Sequence, residues 1–178
     1  IPGLSAEIME RLKPHLQLSE TVGLLVSQLA GGHVKEMELR LQGEFASHPS
    51  QPLVIAALKG LLSAALGDSI NFVNASLEAK ARGIQVLEVK DESSRDFAGG
   101  SLQITTRGDQ GDRCVTGAVF ADGELRITSI DEFPVNVSPS RHMLFTRHRD
   151  MPGIIGHLGS MMGEHNVNIA SMQVGRKI

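Results

Sequence analysis

The sequence has no tryptophan and no tyrosine, and its six phenylalanines bring aromatic content to only 3%. Its core must therefore be aliphatic, built from Leu, Ile, Val, Ala and Met. The same absence removes the aromatic platforms on which single-stranded nucleic-acid binders stack bases. The formal charge is −3, so there is no global attraction to a phosphate backbone, and no nucleic-acid partner is expected. A single cysteine, Cys114, excludes an internal disulfide framework and fits a reducing, cytoplasmic compartment. It lies in the alternating run from Arg113 to Phe120, where a buried structural thiol is expected. No uninterrupted run of about 18 apolar residues occurs, so no membrane span is expected. The opening IPGLSAEIMERLKP lacks a basic region followed by an apolar one, so it does not read as a signal peptide. It also lacks an initiator Met, and the chain is expected to be a piece of something longer. There is no Gly-x-Gly-x-x-Gly, hence no dinucleotide site. The seven histidines and one cysteine show no metal-ligand spacing. His33, His48 and His157 stand alone, and neither a metal site nor a catalytic set is expected.

Regular patterns of two kinds are present. Ser5 to Leu12 is expected to be a short helix, capped by Ser5 and ended by Lys13-Pro14. Apolar residues at 18, 22, 25, 26 and 29 form a helix stripe over Leu18 to Ala30, stopped by Gly31-Gly32. Val34 to Leu41 settles into a period of two from Met37, which is a half-buried strand. Gly43 to Ser50 is expected to be a loop. Ser50-Gln51-Pro52 then opens a helix that is apolar nearly all round to Leu66, and so largely buried. A second helix over Ala75 to Arg82, with Phe72, Leu77 and Ala81 as its apolar contacts, leads through Gly83 into a strand at Ile84 to Val89. Ser101 to Thr106, Arg113 to Phe120 and Leu125 to Ile130 have the spacing of a meander, with turns at Asp109-Gln110-Gly111 and Ala121-Asp122-Gly123. Phe133 to Val137 is a further short strand, and Ser138-Pro139-Ser140 is the linker candidate. Residues 18–137 thus read as one α+β or α/β module. Residues 141–178 read as a second, with strand, turn, amphipathic helix and strand over Arg141 to Val174.

The second module carries Asp150-Met151-Pro152-Gly153 at its first turn, where the proline suits a helix start and the aspartate can cap free N–H groups. It continues with Gly156-x-x-Gly159, Asn166-Val167-Asn168-Ile169 and Met172-Gln173-Val174-Gly175-Arg176. This stretch resembles an ACT domain, the ferredoxin-like βαββαβ unit that binds amino acids. The first module contains Leu58-Lys59-Gly60-Leu61-Leu62, Val73-Asn74-Ala75, Ala79-Lys80-Ala81-Arg82-Gly83-Ile84 and Gly117-Ala118-Val119-Phe120. It resembles the intervening, or allosteric substrate-binding, domain of the long form of D-3-phosphoglycerate dehydrogenases. The resemblance covers nearly the whole chain. It implies an intervening domain over 18–137 followed by the first half of an ACT domain over 141–178, with residues 1–17 as the stretch leaving a catalytic region.

The same resemblance implies a role and a set of contacts. The fragment would be regulatory and would assemble a homo-oligomer, a dimer or tetramer, through both domains. It would hold no cofactor itself, while the parent would use NAD to oxidise 3-phosphoglycerate in serine biosynthesis. An effector such as L-serine would bind at His148, Asp150 and Asn168. The family pattern has Asn at the position of Asp150; an aspartate accepts from an ammonium group but cannot donate to a carboxylate. The intervening domain would hold a phosphorylated substrate or another anion, which needs converging cations. The nominated residues are Lys80, Arg82, Lys90, Arg107 and Arg113, with Lys59 and Arg95 as further cations. Arg107 and Arg113 flank a hairpin turn and could meet in space, against the plainer reading of a solvated strand end. Two other readings compete: the regulatory part of an iron–sulfur L-serine dehydratase, and a free-standing amino-acid-binding module.

Overall fold

A computed structural model of the chain describes residues 6–92, 97, 100–149 and 151–175. The architecture is α+β: six strands form one mixed sheet, and helices cover one of its faces. In chain order the elements are α1 (Ala6–Ala30), β1 (Val34–Gln42), α2 (Glu44–Ser47), α3 (Ser50–Leu66), α4 (Ala75–Ala81), β2 (Gln85–Asp91), β3 (Ser101–Gly108), β4 (Arg113–Val119), β5 (Leu125–Ile130), β6 (Phe133–Val137) and α5 (Ile154–Glu164). The strand order is β2-β1-β3-β4-β5-β6. Only β1 and β2 run parallel, because α3 and α4 carry the chain back between them. The remaining pairs are antiparallel.

The period-two pattern decides which face is covered. Met37, Leu39 and Leu41 of β1 are buried, as are Leu102 and Ile104 of β3, Val115 of β4 and Ile127 of β5. Glu36, Glu38 and Arg40 alternate with them and point to the opposite face, which no helix among the described residues covers. Helix α1 packs on β3, β4 and β5, and α3 packs on α1. That crossing is close because of two glycines. A Cβ on Gly23 would fall inside van der Waals contact of the Ala57 carbonyl, and one on Gly60 would collide with the Glu20 carbonyl. Helix α3 with its following turn, Ser50–Ser69, is long and apolar enough to cross a membrane by length and composition. Its packing against α1 accounts for that composition, since Leu53, Ala56, Ala57, Leu58, Leu61 and Leu62 are buried.

Several local expectations are corrected. Pro14 does not end a helix: α1 runs unbroken from Ala6 to Ala30 with Pro14 inside it. Leu12 and His15 on either side of the proline are both buried, so core packing outweighs the lost backbone hydrogen bond. The expected cap, Ser5, lies outside the described residues. The stretch 43–50 is not all loop, since α2 forms in it and buries Phe45 and Ala46. Helix α4 faces the core with Ala75 and Ala79, leaving Leu77 69% exposed. The largest difference is at the end of the chain. Helix α5 forms, but its expected flanking strands, Met143 to Thr146 and Val167 to Val174, join no ladder. A strand needs a partner to accept and donate its main-chain hydrogen bonds. The second of these segments lies against the edge strand β6, where the Asn136 amide donates to the side-chain Oε1 of Gln173 at 2.7 Å rather than to a main-chain carbonyl. No residue of α5 is buried.

Candidate functional site

The turn before α5 is built by backbone geometry. Gly153 has φ 89° and starts the helix, and the His157 amide donates back to its carbonyl at 2.9 Å. At the other end Asn166, with φ 56°, closes the helix, and the Val167 amide returns to the Met162 carbonyl at 2.9 Å. A left-handed residue at that place is the usual helix stop, and asparagine is the commonest choice after glycine. Of the three nominated effector residues, His148 is exposed and its Nδ1 lies 2.9 Å from the Arg149 carbonyl. Asn168 is also exposed. Asp150 lies outside the described residues. Among the described residues no hydrogen bond joins His148 to Asn168.

The nominated cations of the first module do not converge. On the uncovered face of the sheet, Arg107 bridges Glu36, Glu38 at 3.1 Å and Asp112 at 3.7 Å. Its hydrogen bond, helped by Arg40, holds the Glu38 carboxyl below the usual glutamate range. The same bonds to Glu38 and Glu36 push the Arg107 guanidinium up. Arg113 is directly opposite Thr106 in the β3–β4 register, so it projects on the helix-covered side, away from Arg107. There its Nε donates to the Leu29 carbonyl at 3.0 Å, and its Nη1 lies 3.6 Å from Asp131. The hairpin therefore separates the two arginines, because residues 106 and 107 face opposite ways. Arg82 is paired with Glu78 one turn back in α4. Lys90 donates to the His48 carbonyl at 3.1 Å, and Lys80 is exposed on α4. Of the further cations, Lys59 is paired with Glu20 at 2.5 Å, and Arg95 lies outside the described residues.

Two groupings were not foreseen from the sequence. Arg113 and Arg147 line one shallow cleft together with Asp112, Asp131, Glu132 and Phe133. Three carboxylates outnumber two guanidiniums there, so the cleft does not favour an anion. The second grouping is His15, Glu44 and His48. One ring nitrogen of each histidine and a carboxylate oxygen of Glu44 all lie within 4.8 Å of one another. The i,i+4 spacing of Glu44 and His48 is visible in the sequence. His15 is far from both along the chain and is brought to them only by the packing of α1.

Comparison with known proteins bears directly on the two modules. Residues 11–131 match the D-3-phosphoglycerate dehydrogenase intervening domain, and residues 142–178 match the ACT domain. The chain belongs to the D-3-phosphoglycerate dehydrogenase intervening-domain family, followed by ACT-domain sequence. It is 58% identical over its whole length to a D-3-phosphoglycerate dehydrogenase of Synechocystis, of which it covers 32%. It is 36% identical to that of Methanocaldococcus jannaschii, with 99% of this chain and 33% of that protein covered. For the Bacillus subtilis protein the identity is 31%, with 99% and 34% covered. The chain thus spans about a third of the length of the curated relatives it matches. In this chain Gly60 of the intervening domain has a clear structural task, the close crossing of α1 and α3. A Cβ added at Gly156 or Gly159 of the ACT segment would meet nothing within 4 Å beyond its own helix among the described residues.

Proposed function

We propose that the chain is the regulatory and assembly part of a D-3-phosphoglycerate dehydrogenase, an NAD-dependent oxidoreductase that converts 3-phosphoglycerate to 3-phosphohydroxypyruvate at the start of L-serine synthesis. The observation that carries this reading is the succession, in one chain, of the intervening domain and the ACT domain, together with 58% identity, over the whole of this chain and 32% of the relative, to a protein of that name. NAD would be held outside this chain, and the enzyme would act in the cytoplasm, in keeping with a single cysteine. The ACT segment would take an amino acid such as L-serine at the turn before α5, with His148, Asp150 and Asn168 as contacts. The intervening domain would take an anion through some of Lys80, Arg82, Lys90, Arg107 and Arg113. Both would act by preferring one quaternary arrangement of a homo-oligomer over another, so that a ligand changes distant activity only through its difference in affinity for the two.

The geometry weights these contacts differently. Lys80 and Lys90 are exposed and can turn toward an anion, whereas Arg107 would first have to leave Glu36 and Glu38. Calorimetric titration of the chain with L-serine and with 3-phosphoglycerate tests the reading. Heat from 3-phosphoglycerate that is lost in a Lys80→Ala, Lys90→Ala double variant supports an anion site in the intervening domain. Absence of heat from both ligands, at concentrations where the chain is folded and associated, overturns the sensing role.

A further inference from the structure

We propose that His15, Glu44 and His48 form a binding site for a divalent transition-metal ion of the zinc class. The three side chains come from two different elements and the corner after them. His15 projects from α1, Glu44 is the first residue of α2, and His48 caps its end. Their donor atoms lie within 4.8 Å of one another, with His48 Nε2 at 4.0 Å from Glu44 Oε1. Tetrahedral zinc with bonds near 2.0–2.1 Å places its ligand atoms about 3.3 Å apart. Binding would require the donor atoms to draw together by up to about 1.5 Å.

Three observations favour a ligand role over a plain ring cluster. The first is burial. His15 is only 5% exposed and sits edge-on to Phe45 at 4.4 Å and to His48 at 4.7 Å. Packing alone would be met by phenylalanine at either histidine, with no polar nitrogen to desolvate. The second is the state of His48. Among the described residues its Nε2 is buried and makes no hydrogen bond, a costly arrangement unless something accepts the lone pair or receives the proton. The third is access. Glu44 keeps 52% of its side-chain surface in contact with solvent, so an ion can enter from that side and keep water in its remaining position. Two imidazoles and one carboxylate suit zinc, cobalt, nickel or copper rather than magnesium or calcium. The His48 main chain is held in turn by Lys90, whose Nζ donates to its carbonyl at 3.1 Å. An ion here would fasten α1 to the connection between β1 and α3.

The test is titration of the 178-residue chain with Co²⁺ alone, read by visible ligand-field absorption, and with Zn²⁺ alone, read by the thermal unfolding midpoint. The expected result is one saturable Co²⁺ site per chain, displaced by Zn²⁺, and a higher midpoint with Zn²⁺ because the ion binds the folded form. His48→Gln is expected to weaken Co²⁺ binding by more than the roughly 10–100-fold that loss of an outer-sphere partner costs. Glu44 is half exposed, so Glu44→Gln keeps the fold and is expected to weaken the same site. His165→Gln, on the exposed end of α5, is expected to change nothing. No saturable cobalt spectrum in the parent chain overturns the proposal. So does unchanged affinity in both His48→Gln and Glu44→Gln with circular dichroism intact, which would mark the trio as packing and an i,i+4 ion pair.

Discussion

Glu38 shows how far the charges of the uncovered sheet face are committed to one another. It receives Arg107 from β3 and Arg40 from its own strand, and the first of these dominates the lowering of its carboxyl pKa. A carboxylate whose pKa is lower when folded contributes stability above its unfolded pKa. That contribution is lost as the pH falls through the lower, folded value. Chemical unfolding midpoints should therefore drop as the pH is taken below the ordinary glutamate range, and the drop should be shallower in Glu38→Gln. At neutral pH the substitution should cost roughly 1 kcal/mol, the upper end for partly exposed ion pairs. A Glu38→Gln profile that parallels the parent at every pH would show that Arg107 is not what holds this carboxylate. The same pairing explains why Arg107 is a poor first choice for an anion contact, although position alone nominates it.

Among the elements, the crossing of α1 and α3 is the least tolerant. Glycine usually weakens a helix by about 1 kcal/mol relative to alanine, so a glycine kept at 60 needs a packing reason. The Glu20 carbonyl supplies it, since backbone, unlike a side-chain tip, cannot swing away. Gly60→Ala should lower stability by roughly 1–3 kcal/mol, the usual cost of overpacking. Gly159→Ala, in α5 with open space around it, should not lower the same unfolding midpoint. Equal effects in thermal unfolding would refute the contrast. Helix α1 itself illustrates how packing overrides a local signal. Pro14 is a strong stop in the sequence, yet Leu12, Leu18 and Val22 are fully buried on the two sides of it. Their burial outweighs the single lost hydrogen bond.

For the molecule as a whole, apolar surface is distributed unevenly. The sheet and its helices enclose a continuous, largely aliphatic core that includes Phe45. The ACT segment instead leaves Leu144 at 63%, Ile155 at 41%, Met161 at 43% and Val174 at 48% exposure. Apolar side chains left exposed along one segment suit a surface that another body covers. In the proposed homo-oligomer another copy would cover it. Sedimentation should then show self-association that Ile155→Glu weakens by about tenfold or more, equivalent to at least about 1.4 kcal/mol, while the unfolding midpoint of the sheet module stays unchanged. Association unaffected by that charge would place the contact elsewhere.

Residue order alone specifies the strands and most of the helices of the first module, because periods of two and 3.6 encode which side of each element is buried. Met37-Leu39-Leu41 is the clearest example. It also specifies where helices stop, through Gly31, Gly67 and Gly83, all of which have positive φ. The family was legible in the spacing of its motifs. Three features depend instead on how the elements pack. The unbroken course of α1 through Pro14 rests on burial partners distant in the chain. Whether Arg107 and Arg113 meet depends on the register of β3 against β4, which puts them on opposite faces. The trio of His15, Glu44 and His48 arises because α1 packs over the β1–α3 connection. For α1 and the trio the deciding contacts join residues far apart in sequence, and for the arginines the deciding pairing crosses a turn, whereas periodicity reports on one element at a time.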